Sequence, residues 1–317
     1  MIEFDEILGL NDDRVPIEIE LSGICNLRCS YCNPVNHNGE RPWADSSMLL
    51  ETLHKIYEEC KKPFVLTLVG GEPSLWPEAS YVLPLIKNID KDSHIRIVSN
   101  GIRSYKWFNA HKDYLDGLLF SYHPEGKSIE KWIKNINNVN IPYVISVLGN
   151  AETWDKVIYN YNYVKEHSTA SGVQLKAVTP RGGWVNFVNY TEQQKEIIRN
   201  SLCLLKDDIN TWPKYWGELK YKNKYINNFS NGHPGLNFSD LLFLGKNKFK
   251  GWKCNAGINR FTFKSNGKIH GSSGCSIRND IGNWHKGEIY NFYNEPAICK
   301  YDSCNCATDV GISKRKI

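Results

Sequence analysis

No apolar run in this chain approaches the roughly 18 residues needed to span a bilayer. The N-terminal stretch from Met1 to Asp13 is acidic and lacks the basic and apolar regions of a secretory signal. The sequence therefore reads as cytoplasmic. There is no internal repeat and no low-complexity tract. Nor is there a long basic block: 39 Lys and Arg stand against 34 Asp and Glu, a formal net charge of +5. Basic residues gather only at Lys220, Lys222 and Lys224 and at Lys314, Arg315 and Lys316. So mild a charge argues against a nucleic-acid partner. Intrinsic disorder is excluded by an aromatic content of 12%.

What the chain has in excess is cysteine. Ten cysteines in a chain read as cytoplasmic point to metal or redox chemistry rather than disulfides. Cys25, Cys29 and Cys32 cluster near the start. Cys254, Cys275, Cys299, Cys304 and Cys306 gather near the end, and Cys60 and Cys203 sit alone. Two clusters suggest two metal sites, with the lone thiols read as inert.

At about 150 residues per domain, 317 residues allow two domains or one large α/β barrel. Short apolar, β-branched runs occur at 16–21, 64–69, 94–99, 118–122, 143–148 and 173–178. Helical patterns separate them at 46–60, 78–88, 104–111, 128–137 and 151–167, and another follows at 191–205. Six such repeats predict a parallel sheet in an open, partial β/α barrel over 1–205. A closed eight-stranded barrel needs about 250 residues. Residues 206–253 read as a connecting segment whose Trp and Tyr either line a pocket or pack barrel against extension. In 254–317, Asn266-Gly267 between alternating runs predicts a hairpin.

Cys25, Cys29 and Cys32 have the spacing CxxxCxxC directly after the first predicted strand. Three thiolates hold three irons of a cubane cluster and leave the fourth iron open to a ligand. A zinc loop is the plain alternative. The second predicted strand ends in Gly70-Gly71-Glu72-Pro73, the third in Ser99-Asn100-Gly101, and the fourth in Ser121-Tyr122-His123-Pro124-Glu125. The C-terminal ends of barrel strands are where active sites lie.

These motifs, in this order, resemble the radical S-adenosylmethionine (radical SAM) superfamily over about residues 15–205. The resemblance implies a [4Fe-4S] cluster on Cys25, Cys29 and Cys32 whose open iron chelates SAM. Tyr31 stands where the family favours an aromatic residue. Gly70, Gly71, Glu72 and Pro73 match the motif that receives the SAM amino group. Ser99 and Asn100 match polar contacts to the ribose or carboxylate, and Ser121, His123 and Glu125 face SAM or substrate. Ser146, Gln174 and Lys176 are weaker candidates, with ordinary strand polarity as the alternative. No catalytic residue is assigned.

The last five cysteines resemble the Twitch extension, a shortened SPASM domain holding one auxiliary [4Fe-4S] cluster. Two features depart from its pattern: Gly267 lies eight residues before Cys275, and Cys299, Cys304 and Cys306 have the spacing CxxxxCxC. Cys254, Cys275, Cys304 and Cys306 are the expected ligands, with Cys299 a close rival. Zinc, or ligation by three thiols only, stays open. The expected fold is α/β, a partial (β/α)6 barrel with a small Twitch-like domain. The expected activity is that of an oxidoreductase or isomerase that cleaves SAM reductively to a 5′-deoxyadenosyl radical, which takes hydrogen from a substrate carbon. The expected partners are an external flavodoxin- or ferredoxin-like electron donor and a small polar metabolite, because the 24 residues before Cys25 leave no room for a peptide-recognition domain. A ribosomally made peptide is the alternative substrate. A non-catalytic iron–sulfur redox protein is the alternative class.

Overall fold

The computed structural model describes residues 3–9, 14–178, 190–201, 218–222, 224–225, 241–242, 244–258 and 260–317. Cys203, expected as an inert thiol, and most of the 206–253 connecting segment with its Trp and Tyr lie outside them.

Six parallel strands form the heart of the molecule: β2 (Val15–Glu20), β3 (Phe64–Val69), β4 (His94–Ser99), β5 (Gly117–Tyr122), β6 (Tyr143–Gly149) and β7 (Gly172–Ala177). They neighbour one another in chain order. Helices intervene: α1 (Ser46–Cys60), α2 (Ala79–Ile89), α3 (Tyr105–Ala110), α4 (Ile129–Ile136) and α5 (Trp154–His167), with α6 (Glu192–Asn200) following β7. This is the expected partial β/α barrel.

Local chemistry sets these elements. In α1, Leu49, Thr52, Leu53 and Ile56 recur at helical spacing and are buried. The Asp45 side chain accepts from the Ser47 N–H at its start, and Lys61 takes a left-handed cap at its end. Along β2, Val15, Ile17 and Ile19 are buried outward under the helices, while Glu18 and Glu20 alternate inward. The open sheet curves: Lys176 on β7, the last parallel strand, feels the charge of Glu18 on β2, the first.

The predicted hairpin forms from β11 (Phe261–Phe263) and β12 (Lys268–His270), with Thr262 opposite His270. Gly267 takes φ +89° in its turn. The hairpin extends the barrel sheet, because β11 pairs in parallel with the free edge of β2, Phe261 opposite Ile17. Phe261 and Phe263 are fully buried in the barrel's outer apolar layer. The Lys264 ammonium pairs with Glu20 at 2.7 Å across this junction.

A second sheet lay outside the sequence reading. Its strand β1 (Glu6–Leu8) pairs with β16 (Lys314–Arg315) on one side and β8 (Glu218–Tyr221) on the other. Next to β16 runs β10 (Lys253–Cys254), which pairs on its other side with β15 (Ala297–Ile298). This sheet has its own core, which includes Ile7, Phe249, Cys254, Cys299, Val310 and Ile312. Among the described residues no helix is long and apolar enough to cross a membrane.

Candidate active site

At the C-terminal ends of β2 to β5 lies a cavity of about 150 Å³. Its walls include Cys25, Cys29 and Cys32, Gly70, Gly71 and Glu72, Ser99 and Asn100, and Ser121 and His123. Four strand-end motifs distant in sequence thus meet at one place.

The glycines are there because nothing larger fits. Gly70 and Gly71 have φ +85° and +53°. A Cβ on Gly71 would stand 2.2 Å from the Ile24 carbonyl oxygen. That carbonyl accepts from the Glu72 N–H at 2.8 Å, which docks the strand end against the cysteine loop. Glu72 is buried, and its carboxylate accepts from the Ser99 hydroxyl at 2.7 Å, the Asn100 N–H at 2.7 Å and the Ser74 N–H at 3.0 Å. Burial pushes its pKa up, and these three donors oppose that. Oε1 carries two of the bonds and Oε2 one, so a lone pair remains on Oε2 for a further donor.

The cysteine loop is held from β5. The Glu125 carboxylate accepts from the Ser30 N–H at 2.9 Å and the Ser30 hydroxyl at 2.7 Å. The His123 ring stacks on Tyr31 with 11° between planes, and its Nδ1 lies 2.8 Å from the Tyr31 hydroxyl and 3.3 Å from Cys29 Sγ. Burial, then the Lys176 charge, pushes the His123 pKa down to about 4, so the ring is neutral near pH 7. Burial raises the thiol pKa values of Cys25 and Cys32 and takes that of Cys29 to about 11. Metal ligation reverses this, because a coordinated thiol is deprotonated. Among the described residues no three His, Cys, Asp or Glu side chains converge on a single-ion site. In a cubane each thiolate has its own iron. Three thiols around a cavity, beside a glycine cradle with no room for a Cβ, fit a cluster with one open iron.

Tyr31 and Pro73 do not line the cavity; Tyr31 connects through His123. Ser146 is fully buried one strand further on, where its hydroxyl accepts from the Gln174 amide at 2.9 Å. Leu27, Asn36, His37 and Val98 line the cavity but are absent from the sequence reading. Asn26 Oδ1 accepts from the Asn100 amide at 2.7 Å. Asn36 and His37 arrive because the chain turns at Asn33-Pro34, the one local signal for them, and folds back until the Gly39 N–H donates to the Gly23 carbonyl.

The C-terminal cysteines are also drawn together. Buried Asp309, on the helical turn Ala307–Val310 after Cys306, accepts from the N–H groups of Ser273, Gly274 and Cys275 at 2.7, 2.7 and 3.1 Å. Cys254 lies in β10 and its charge is felt by Cys275 and Cys299, while Cys304 feels Cys306 and Cys275. Burial takes the Cys306 pKa to about 12. Cys60 packs, partly buried, against the barrel core, away from both groups.

Residues 19–167 match the family model of the Radical SAM superfamily. They form a radical SAM domain. Over 91 residues the chain is 34% identical to GTP 3′,8-cyclase of Clostridium perfringens (strain SM101 / Type A), a match covering 27% of each protein. The chain thus aligns with about a quarter of that relative's length. Among solved structures, anSMEcpe with bound AdoMet and the Kp18Cys peptide superposes with a TM-score of 0.56 at 15% identity, covering 86% of this chain and 78% of that one. The same protein with AdoMet alone gives 0.55 at 14% identity, with the same coverage. At such identities the likeness is one of fold.

Proposed function

We propose that this radical SAM enzyme oxidises or epimerises a small polar metabolite by taking hydrogen from one of its carbons. The observation that carries the reading is the single cavity shared by the CxxxCxxC thiols, the Gly70–Glu72 cradle and the Ser99-Asn100 strand end. When bound on Cys25, Cys29 and Cys32, the cluster supplies the electron that cleaves SAM to a 5′-deoxyadenosyl radical.

The chain's own residues bind and orient. The remaining Oε2 lone pair of Glu72 accepts from the SAM ammonium, a charge-assisted bond. The Asn100 side chain, tied to Asn26, and the Ser99 hydroxyl fix the strand end beside it. Ser121 and His123 present polar atoms to the same cavity. Glu125 and His123 hold the cysteine loop against β5. Inside the barrel, Glu18, Ser146, Gln174 and Lys176 give a polar surface suited to a hydroxylated or charged substrate. Cys254, Cys275, Cys304 and Cys306, with Cys299 as rival, would hold an auxiliary cluster able to accept an electron from the substrate. An external flavodoxin- or ferredoxin-like donor in a reducing, cytoplasmic setting would supply the first electron.

The test is iron and sulfide content of anaerobically reconstituted protein, together with 5′-deoxyadenosine formed from SAM and dithionite. About eight irons per chain with deoxyadenosine supports both clusters. About four with deoxyadenosine removes the auxiliary one. Iron-free protein that leaves SAM intact overturns the reading.

A further inference from the structure

The barrel interior carries charged side chains that the site above does not use. Strand alternation and register place them. Ser146 stands opposite Ser121, which lines the cavity, and opposite Gln174, to which it is hydrogen-bonded. Lys176 lies two residues beyond Gln174 on β7 and so points to the same inner face. On the far wall, Glu18 stands opposite Thr262, and its carboxylate accepts from the Ser273 hydroxyl at 2.9 Å. Glu20 next to it is taken up by Lys264 at 2.7 Å.

Lys176 is the charge left over. It has no hydrogen-bond or ion-pair partner among the described residues, whereas Lys264 on the far wall is paired with Glu20. Solvent reaches it, yet the barrel surrounds it, and this lost hydration pulls its pKa below the usual lysine range, opposed by Glu18 and Cys306. Its charge in turn acts on His123. It therefore stands within electrostatic reach of both cysteine groups, His123 beside Cys29 on one side and Cys306 on the other. Lysine there is a compact point charge on a flexible stem, suited to an anionic oxygen. An ammonium in a confined, partly desolvated place without a direct counter-charge gains most from a ligand that brings one.

We infer that Lys176 anchors an anionic group of the substrate, a carboxylate or a phosphate, between the CxxxCxxC loop and the C-terminal cysteines. This rests on the reading of the barrel interior as the substrate site, and it narrows the polar metabolite to an anionic one.

The test is lysine footprinting of the full chain, reconstituted with iron and sulfide and loaded with SAM. A brief pulse of an amine-acylating reagent is read by peptide mass spectrometry at Lys176 and at exposed Lys61. The probes are inorganic phosphate and glutarate, each compared with sodium chloride of equal ionic strength. Labelling at Lys176 should slow by the factor 1 + [L]/Kd, about threefold at twice Kd, while Lys61 is unchanged. Protection by phosphate alone assigns a phosphoester, and by glutarate alone a carboxylate. Labelling indifferent to both anions overturns the inference. So does protection by SAM alone, which would give the ammonium to the SAM carboxylate. Iron content and deoxyadenosine yield on the same sample report separately on the radical SAM chemistry. Iron-loaded, SAM-cleaving protein with an indifferent Lys176 refutes only the anion site. Cluster-free protein with a protected Lys176 refutes the chemistry and keeps the site.

Discussion

Glu72 has no solvent to replace a lost partner: it is 1% exposed and its three donors come from Ser74 on its own turn and from the Ser99-Asn100 strand end. Replacing it with glutamine keeps the shape but turns one acceptor oxygen into a donor facing a donor. The expected cost is about 1–3 kcal/mol, with a lower urea midpoint at unchanged m-value, together with weaker SAM binding by calorimetry. His123 gives the molecule a pH dependence of definite sign. Its folded pKa is about 4 against 6.5 for the free side chain. Between those values the unfolded chain binds more protons, so stability is full above about pH 6.5 and falls on acidification towards about pH 4. Urea midpoints across that window should show this slope, and His123→Gln should flatten it. An unchanged slope in that variant would mean that other groups carry it.

At the scale of the element, the site depends on how one loop is fastened between strand ends. The CxxxCxxC loop is gripped from β5 by Glu125 and His123 and from β3 by Glu72 N–H on Ile24. Glu125→Ala removes both bonds to Ser30 and leaves the barrel core untouched. The iron retained per chain after reconstitution and desalting should fall, while the far-ultraviolet spectrum and urea midpoint stay near wild type. Gly71→Ala acts at the other grip. It combines a left-handed backbone, costing about 1–2 kcal/mol for an L side chain, with a Cβ 2.2 Å from Ile24 O. Strand and loop must separate there, so SAM affinity should fall at least tenfold, about 1.4 kcal/mol. Affinity equal to wild type would show that the cradle relaxes freely.

At the scale of the molecule, two cores were unequally legible. The barrel strands could be read to within about a residue because buried parallel strands are short apolar runs bounded by Gly, Pro and polar residues. The cysteine and Gly70–Glu72 motifs were legible for a related reason, being local strings at strand ends. Asn36 and His37 were not, since only the fold-back onto Gly23 brings them to the cavity. The second sheet was invisible because β10, β15 and β16 have two residues each, too few for any periodicity, and β1 finds β16 from the opposite end of the chain. What binds that sheet is Lys314, a cation only 4% exposed. Its ammonium donates to the carbonyls of Asp309, Val310 and Ile312 and stands 5.2 Å from the Phe249 ring centroid. The barrel strands β2 to β7 have no share in these contacts. Lys314→Met keeps the stem and removes the head, leaving three carbonyls short of a donor at about 1–3 kcal/mol for each one left unsatisfied. Amide exchange in β1 and β10 should therefore accelerate while β3 to β6 keep wild-type protection, the behaviour of two separately cooperative units. Equal acceleration in both sheets would instead mean that the β11–β2 junction, with its Glu20–Lys264 pair, welds the two cores into one.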